Sequence, residues 1–169
     1  MQWRWARAHD TIDITGEGGA LATRKSRGDY KSAVCGEVLR AEGEASAEFT
    51  WVSGDYLMVG VARAGVDPSS GGVGLHGTAD GWMYWCKYGW RRHNGDNVTP
   101  WASGEQQAIK VGETVGLLLR RGSLSVHIGG RQVGVMCTGL SGALVWAAAL
   151  YYSDDSVRIA RKPPPPVRG

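Results

Sequence analysis

The sequence predicts an all-β sandwich or barrel, and three observations carry that expectation. Over residues 113–136 the apolar positions recur every second residue, the period of a strand with one buried face. Glycine is abundant, at 26 of 169 residues, and it punctuates short apolar runs along the whole length. Tryptophan is also frequent, at 8, against a single phenylalanine, so most large aromatic side chains keep a polar handle and suit half-exposed positions. The length fits one domain with ample core.

The central stretch reads as three consecutive antiparallel strands. Val115, Leu117 and Leu119 alternate in the first, and the segment 120–123, with Gly122, turns the chain. Leu124, Val126 and Ile128 alternate in the second, followed by Gly129 and Gly130, the composition of a two-residue primed hairpin turn. The third, 131–136, is expected to bury Val133 and Val135.

In chain order, residues 1–10 form an extension with Trp3 and Trp5 between arginines, expected to pack an aromatic face on the sandwich; the positive charge is too thin for a nucleic-acid arm. Ile12, Ile14 and Leu21 flank a glycine-rich turn and predict a hairpin over 11–23. Residues 25–31 are a polar loop. Residues 32–39 and 44–52 are expected to pair with each other through the loop at 40–43, with Ala47, Phe49 and Trp51 on one face. The run 56–63 is apolar on both parities, which predicts a central strand covered on both sides. A Gly/Pro/Ser loop follows over 64–74, and long loops on rigid sheets often carry function.

Residues 80–90 form the aromatic centre, with Trp82, Tyr84 and Tyr88 on one parity and Met83 and Trp85 on the other, expected to pack in the core and on the sheet faces rather than to form a ligand box. Asn94-Gly95 offers a hairpin turn, and Trp101 is expected to anchor the irregular stretch 98–110. Residues 144–152 make another apolar strand in which one of Tyr151 and Tyr152 faces the core. Asp154 and Asp155 turn into a closing strand over 156–160. The tail, 162–169, holds four consecutive prolines, which favour polyproline II and read as a linker stub of a larger protein.

Chemistry is sparse. Cys35, Cys86 and Cys137 are an odd number without paired spacing and read as reduced, buried thiols of a cytoplasmic or otherwise intracellular protein. The four histidines form no metal-ligand spacing, no nucleophile elbow occurs, and His127 reads as a solvated strand residue. Asp154 and Asp155, adjacent in a turn, point apart and do not suit joint acid–base work. A net charge of +3 without a basic cluster argues against nucleic acid, and no run reaches the length of a membrane span; an apolar signal-peptide core is also absent. The expectation is no enzyme, no metal and no cofactor.

The order of motifs resembles the SPRY family. Gly43-Glu44, Glu48-Phe49-Thr50-Trp51, Val59-Gly60-Val61-Ala62, Gly81-Trp82, the Gly122–Val135 region and Val157-Arg158-Ile159 follow in order, covering roughly residues 11 to 159 of a domain bounded at 11–161. The resemblance implies a bent β-sandwich of two antiparallel sheets, similar to concanavalin, without substantial helix, that binds a peptide or protein partner through loops at one end. No nucleic acid, no membrane and a monomer as an isolated domain are expected.

The SPRY-domain SOCS-box adaptors, which hold an Asn-containing acidic peptide, are the most similar pattern. That pattern implies a site at Lys25, Ser26, Arg27 and Gly28, Arg63 and Ala64, Leu75 and His76, and Tyr151, Tyr152 and Ser153. The adaptors' Arg-x-Pro, Thr and Val-Trp-Gly are here Lys25-Ser26-Arg27, Arg63 and Tyr151-Tyr152-Ser153, so a different ligand is expected, and no SOCS box is present. Arg63 also reads as a solvated strand-end charge. Two other functions compete: a structural domain packing within its parent protein, and a lectin-type carbohydrate-binding sandwich. The lectin reading lacks an Asp/Asn calcium cluster. A glycoside hydrolase on a similar sandwich would need two facing carboxylates, and no strand here supplies them.

Overall fold

The computed structural model describes residues 2–26, 28–68, 78–94, 101, 103–104 and 107–162. Two antiparallel sheets pack face to face. The first, sheet A, runs in the order β1 (Trp5–Ala8), β4 (Lys31–Cys35), β14 (Ala143–Leu150), β7 (Met58–Arg63), β8 (Gly81–Trp85) and β9 (Trp90–His93), with β5 (Leu39–Arg40) also paired to β14. The second, sheet B, runs β10 (Ser103–Gly104), β13 (Arg131–Cys137), β12 (Ser123–Ile128), β11 (Thr114–Arg120), β6 (Glu44–Ser53), β15 (Ser156–Arg161), β3 (Leu21–Arg24) and β2 (Ile12–Thr15). The expected bent sandwich of two antiparallel sheets is the observed fold. No helix among the described residues is long and apolar enough to cross a membrane.

The main core lies between the sheets. Phe49, Trp146 and Trp5 meet there, Phe49 and Trp146 edge to face with ring centres 6.0 Å apart. Trp3 packs against Trp146 at 6.2 Å and donates its indole N–H to the Ser46 carbonyl, so both N-terminal tryptophans are buried and β1 is an integral edge strand. A second apolar layer covers the outer face of sheet A: Val34, Met58, Ala62, Met83, Trp85, Val145, Ala147 and Ala149. This explains why β7, β8 and β14 read as apolar on both parities. Each has a core on either side.

The β11–β12–β13 meander is as expected. Arg121 and Gly122 both have positive φ (48° and 78°), as do Gly129 and Gly130 (63° and 77°), the backbone of primed two-residue turns. One detail differs. Irregularities in the β12–β13 register between Leu124 and Ser125, and between Val126 and His127, shift the parity of β13, so Gly134 and Met136 are buried and Val133 and Val135 only half-buried.

A second difference concerns connectivity. Strands β4 and β6 do not pair with each other; β4 joins β1 and β14 in sheet A, and β6 joins β11 and β15 in sheet B. The short β5 and the turn after it carry the chain from one sheet to the other. The turn at Asn94 is occupied by a positive φ of 52°, while Gly95 and the Pro-rich tail expected to leave the fold lie outside the described residues. Trp101 is half-buried, with its ring 6.1 Å from Tyr84.

His127 is not fully solvated. Its Nε2 lies 3.0 Å from the Ser125 hydroxyl, and burial, then the nearby Arg120, push its pKa down. A base with a folded pKa below its unfolded value resists protonation that the unfolded chain accepts, so stability falls as pH drops below about 6.5. His127→Gln is expected to flatten the stability-versus-pH curve below about pH 6.5 in urea titrations. An unchanged slope would remove His127 as its cause.

Candidate binding surface

Four separate chain segments bring aromatic rings together at one end of sheet A, on its outer face. Tyr30 precedes β4, Tyr56 precedes β7, Trp85, Tyr88 and Trp90 belong to the β8–β9 hairpin, and Tyr151 and Tyr152 follow β14. Tyr56 is the hub, with ring centres at 5.4 Å from Trp85, 5.7 Å from Tyr151, 5.2 Å from Tyr152 and 6.0 Å from Tyr30. Tyr88 and Trp90 stack at 4.7 Å, and both stand edge-on to Trp85, which forms the floor. Tyr88 is 41% exposed, unusual for a large aromatic residue with no fold to complete above it.

Cations rim the rings. The Lys87 ammonium lies 5.5 Å from the Tyr56 ring and 5.9 Å from that of Tyr88, while pairing with Asp55 at 3.0 Å. Arg92, buried, places its guanidinium 4.6 Å over Trp85 and hydrogen-bonds Tyr30. Burial, with Tyr56 beside it, pushes the Tyr30 phenol up to about 12, and burial raises Tyr56 as well, so both remain neutral hydroxyls at physiological pH.

A buried carboxylate holds this surface in shape. Asp155 is fully buried, and its two oxygens accept four backbone N–H groups: Asp55 (2.7 Å) and Tyr56 (3.2 Å) on one, Tyr151 (3.0 Å) and Tyr152 (2.6 Å) on the other. Three of those four donors belong to the aromatic surface itself. Gly54 passes so close, with φ of 100°, that any side chain there would collide with Asp155. Arg24, also buried, donates from one nitrogen to the carbonyls of Asp29 and Leu150, both at 2.9 Å. Burial pulls its pKa down and the Asp155 charge opposes that pull. Asp154 and Asp155 thus serve a turn, as expected, but Asp155 also anchors the loops on either side of it.

Two grooves lie elsewhere. One of about 570 Å³ at the opposite end is lined by Trp3, Val38, Arg161 and their neighbours, and a smaller one of about 300 Å³ lies over Gly116 and His127 on sheet B. The first is crossed by the Arg161–Glu37 ion pair and the second is edged by the Lys162–Glu48 pair, so neither offers the continuous ring surface seen here. Among the described residues, no three His, Cys, Asp or Glu side chains gather as a metal site.

The architecture has solved counterparts. The crystal structure of the SPRY domain of human HERC1 matches with a TM-score of 0.74 at 18% identity, covering 94% of this chain and 97% of that one. This chain has the SPRY fold. A second crystal structure, of a human SPRY domain, matches at a TM-score of 0.69 and 16% identity, covering 89% of this chain and 95% of that one. The NEUZ (NHR) domain of Neuralized from Drosophila melanogaster is similar at a TM-score of 0.66 and 13% identity, covering 95% and 92%. No protein-family model and no curated protein matches the sequence.

On the SPRY sandwich the site residues expected from sequence divide between two ends. Lys25, Tyr151, Tyr152 and Ser153 come together: the Ser153 hydroxyl donates to the Lys25 carbonyl at 3.2 Å, and the two tyrosine rings lie 4.8 Å apart. Both tyrosines are half-buried on the outer surface, and neither enters the inter-sheet core, because β14 ends at Leu150 and strand alternation ends with it. Arg63 and Ala64 lie at the far end of β7, since Arg63 pairs with Leu144 and Met58 with Ala149. Five residues of strand put them about 17 Å from the tyrosines' end. There Arg63 covers the Trp82 ring at 4.9 Å and donates to the Ser141 carbonyl, while the Ala64 carbonyl accepts from Arg7 at 3.0 Å. Arg27, Leu75 and His76 lie outside the described residues. Tyr30, Tyr56, Trp85, Tyr88 and Trp90, which complete this aromatic surface, were not among the residues expected from sequence. Their available signal was the outward parity of Trp85 opposite the buried Tyr84.

Proposed function

We propose that this SPRY sandwich is a non-enzymatic recognition module that binds a peptide or protein segment through the aromatic surface around Tyr56. The observation that carries it is the gathering of seven aromatic rings from four chain segments on a rigid sheet end, locked by one buried carboxylate. Tyrosine, tryptophan and arginine dominate binding energy at interfaces, and a surface ordered in advance loses little entropy on association. Lys25 and Ser153 sit at its margin; Arg63 and Ala64 brace the opposite end. A place inside a larger intracellular protein is part of this reading, supported by the SPRY fold and the proline-rich tail.

Selection from a random peptide library tests it. Ligands that bind the wild type are expected to lose about tenfold or more in affinity with Tyr88→Ala/Tyr152→Ala. Arg63→Ala should leave them unchanged. Ligands lost with Arg63→Ala and kept by the double variant would move the site to the far end, and no selected peptide together with binding on a glycan array would make the module a lectin.

A further inference from the structure

We propose that a notch on the outer face of sheet B binds an alkylguanidinium group, the side-chain chemistry of arginine, with Glu48 as its carboxylate partner. The notch lies on the other sheet from the aromatic surface, and it stands or falls independently of that surface.

The notch exists because Gly116 has no side chain. In the middle of β11, Gly116 is paired with Glu48 of β6 on one side and with His127 of β12 on the other. The two flanking backbones are two strand spacings apart, about 10 Å, with only the Gly116 main chain between them. The groove of about 300 Å³ lies over this gap, and Thr114, Leu118 and Lys162 complete its walls. Nothing in the fold demands glycine here. Gly116 has no positive φ, and neither of its strand pairings carries a bulge. A methyl group built on it would meet the His127 Cβ at 3.5 Å, the His127 carbonyl at 3.6 Å and the Ala47 carbonyl at 3.9 Å, all ordinary contacts. Glycine weakens a strand interior, and where neither a bulge nor a close backbone accounts for it, the open space is its remaining use.

Leu118 gives the notch an apolar wall. It is the next residue along the same face, flanked by Ser46 and Ser125. Only 4% of it is exposed, yet it belongs to neither apolar core.

The polar groups facing the gap are acceptors. Lys162 Nζ lies 3.5 Å from Glu48 Oε1, with the two side chains 57% and 31% exposed, and Glu48 Oε2 has no partner among the described residues. The Ser125 hydroxyl gives its one proton to the Leu118 carbonyl at 3.4 Å, so it accepts from His127 Nε2–H at 3.0 Å and Nδ1 keeps its lone pair. Burial, then Arg120, push the His127 pKa down, so the ring adds no positive charge. Arg120 itself is matched by Glu44 at 2.6 Å, and the Ser46 hydroxyl is spent on the Lys162 carbonyl.

This arrangement favours a guanidinium over an ammonium. The Lys162 contact is a single, exposed ion pair, which holds little. A guanidinium is less strongly hydrated, and its planar fork engages both carboxylate oxygens at once. Its methylene stem then lies across Gly116 toward Leu118, covering apolar surface as long charged side chains do. Lys162 is the competitor that the ligand displaces.

Amide chemical-shift titration of the isotope-labelled chain tests this, read at Gly116 and His127. The probe is N-acetyl-arginine methylamide, with its lysine counterpart compared at equal ionic strength. The arginine probe should saturate, and the lysine probe should bind about tenfold more weakly. Glu48→Gln should weaken the arginine probe about tenfold or more. Gly116→Ala should raise the urea midpoint while weakening the probe about tenfold, because the methyl group suits the strand and fills the notch. Lys162→Ala should tighten binding about two- to fivefold. Agmatine has the guanidinium and stem without peptide groups: equal affinity assigns the notch to a free ligand, and weaker affinity to an arginine within a partner chain. No saturable shift up to about 20 mM, or equal affinities for the arginine and lysine probes, overturns the ligand class. Binding unchanged by Gly116→Ala or by Glu48→Gln overturns the notch as the site. Weaker binding to Lys162→Ala would make Lys162 a ligand contact and overturn the proposal as well.

Discussion

Asp155→Ala should destabilise the domain by about 3–5 kcal/mol, because it strands four backbone donors at once and removes the larger of the two carboxylate charges, Asp155 and Asp29, that favour the buried Arg24 cation. The loss is not that of a surface ion pair. All four N–H groups lie where the chain turns between strands, and no neighbouring strand stands ready to accept them. For a domain of this length about 3 kcal/mol corresponds to a fall in melting temperature of roughly 6–12 °C. Asn is not a rescue, since its amide offers one oxygen and sets an NH2 group against two of the donors. Urea denaturation of both variants measures the effect; a loss under about 1 kcal/mol would mean that water replaces the carboxylate and that the aromatic surface does not depend on it.

Gly60→Ala is expected to be at least as damaging, at about 3 kcal/mol or more, and to leave little folded protein. Gly60 sits in the middle of β7, between β14 and β8, with both faces of the strand buried. A methyl group there would collide with the Trp82 carbonyl and come within 3.0 Å of the Met83 Cα. These are backbone atoms of the next strand, which cannot swing aside as a flexible side chain would. Ala62→Gly, two residues along the same strand, controls for glycine content. It removes a methyl group from the second apolar layer, and its cost should be smaller. Equal thermal stability of Gly60→Ala and wild type would show that the β7–β8 spacing relaxes freely.

The contrast between local and non-local order marks what could be read from the chain. The β11–β12–β13 meander was legible because its turns and alternation lie within about two dozen residues, and β7 because burial on both faces leaves an unbroken apolar run. The pairing assigned to 32–39 and 44–52 failed for a physical reason: a short glycine-containing loop suits a hairpin, but it equally suits a step between sheets, and only the partners β14 and β11, far along the chain, decide which. Val133 and Val135 were misassigned because a β-bulge reverses parity without a composition signal of its own. The aromatic surface was half legible. Tyr151 and Tyr152 were placed in it by family resemblance, but Tyr30, Tyr56 and Trp85 meet only after both sheets form. Asp155 looked like a turn residue, and in sequence nothing separates a solvated turn aspartate from one that gathers four amides.

The strand order also constrains how the chain is made. β14 lies between β4 and β7, and β15 lies between β6 and β3, so the last two strands to be synthesised are internal to the two sheets. A nascent chain that has released β2 through β13 exposes long unpaired edges on both sides of each gap, with the Phe49 and Val59 faces uncovered. Vectorial folding is therefore barred until residue 161 clears the ribosome, and the domain must then close in one step dominated by long-range pairing, which is slow and prone to aggregation. Ribosomes stalled before β14 should yield a chaperone-bound, protease-sensitive product rather than a folded half-domain.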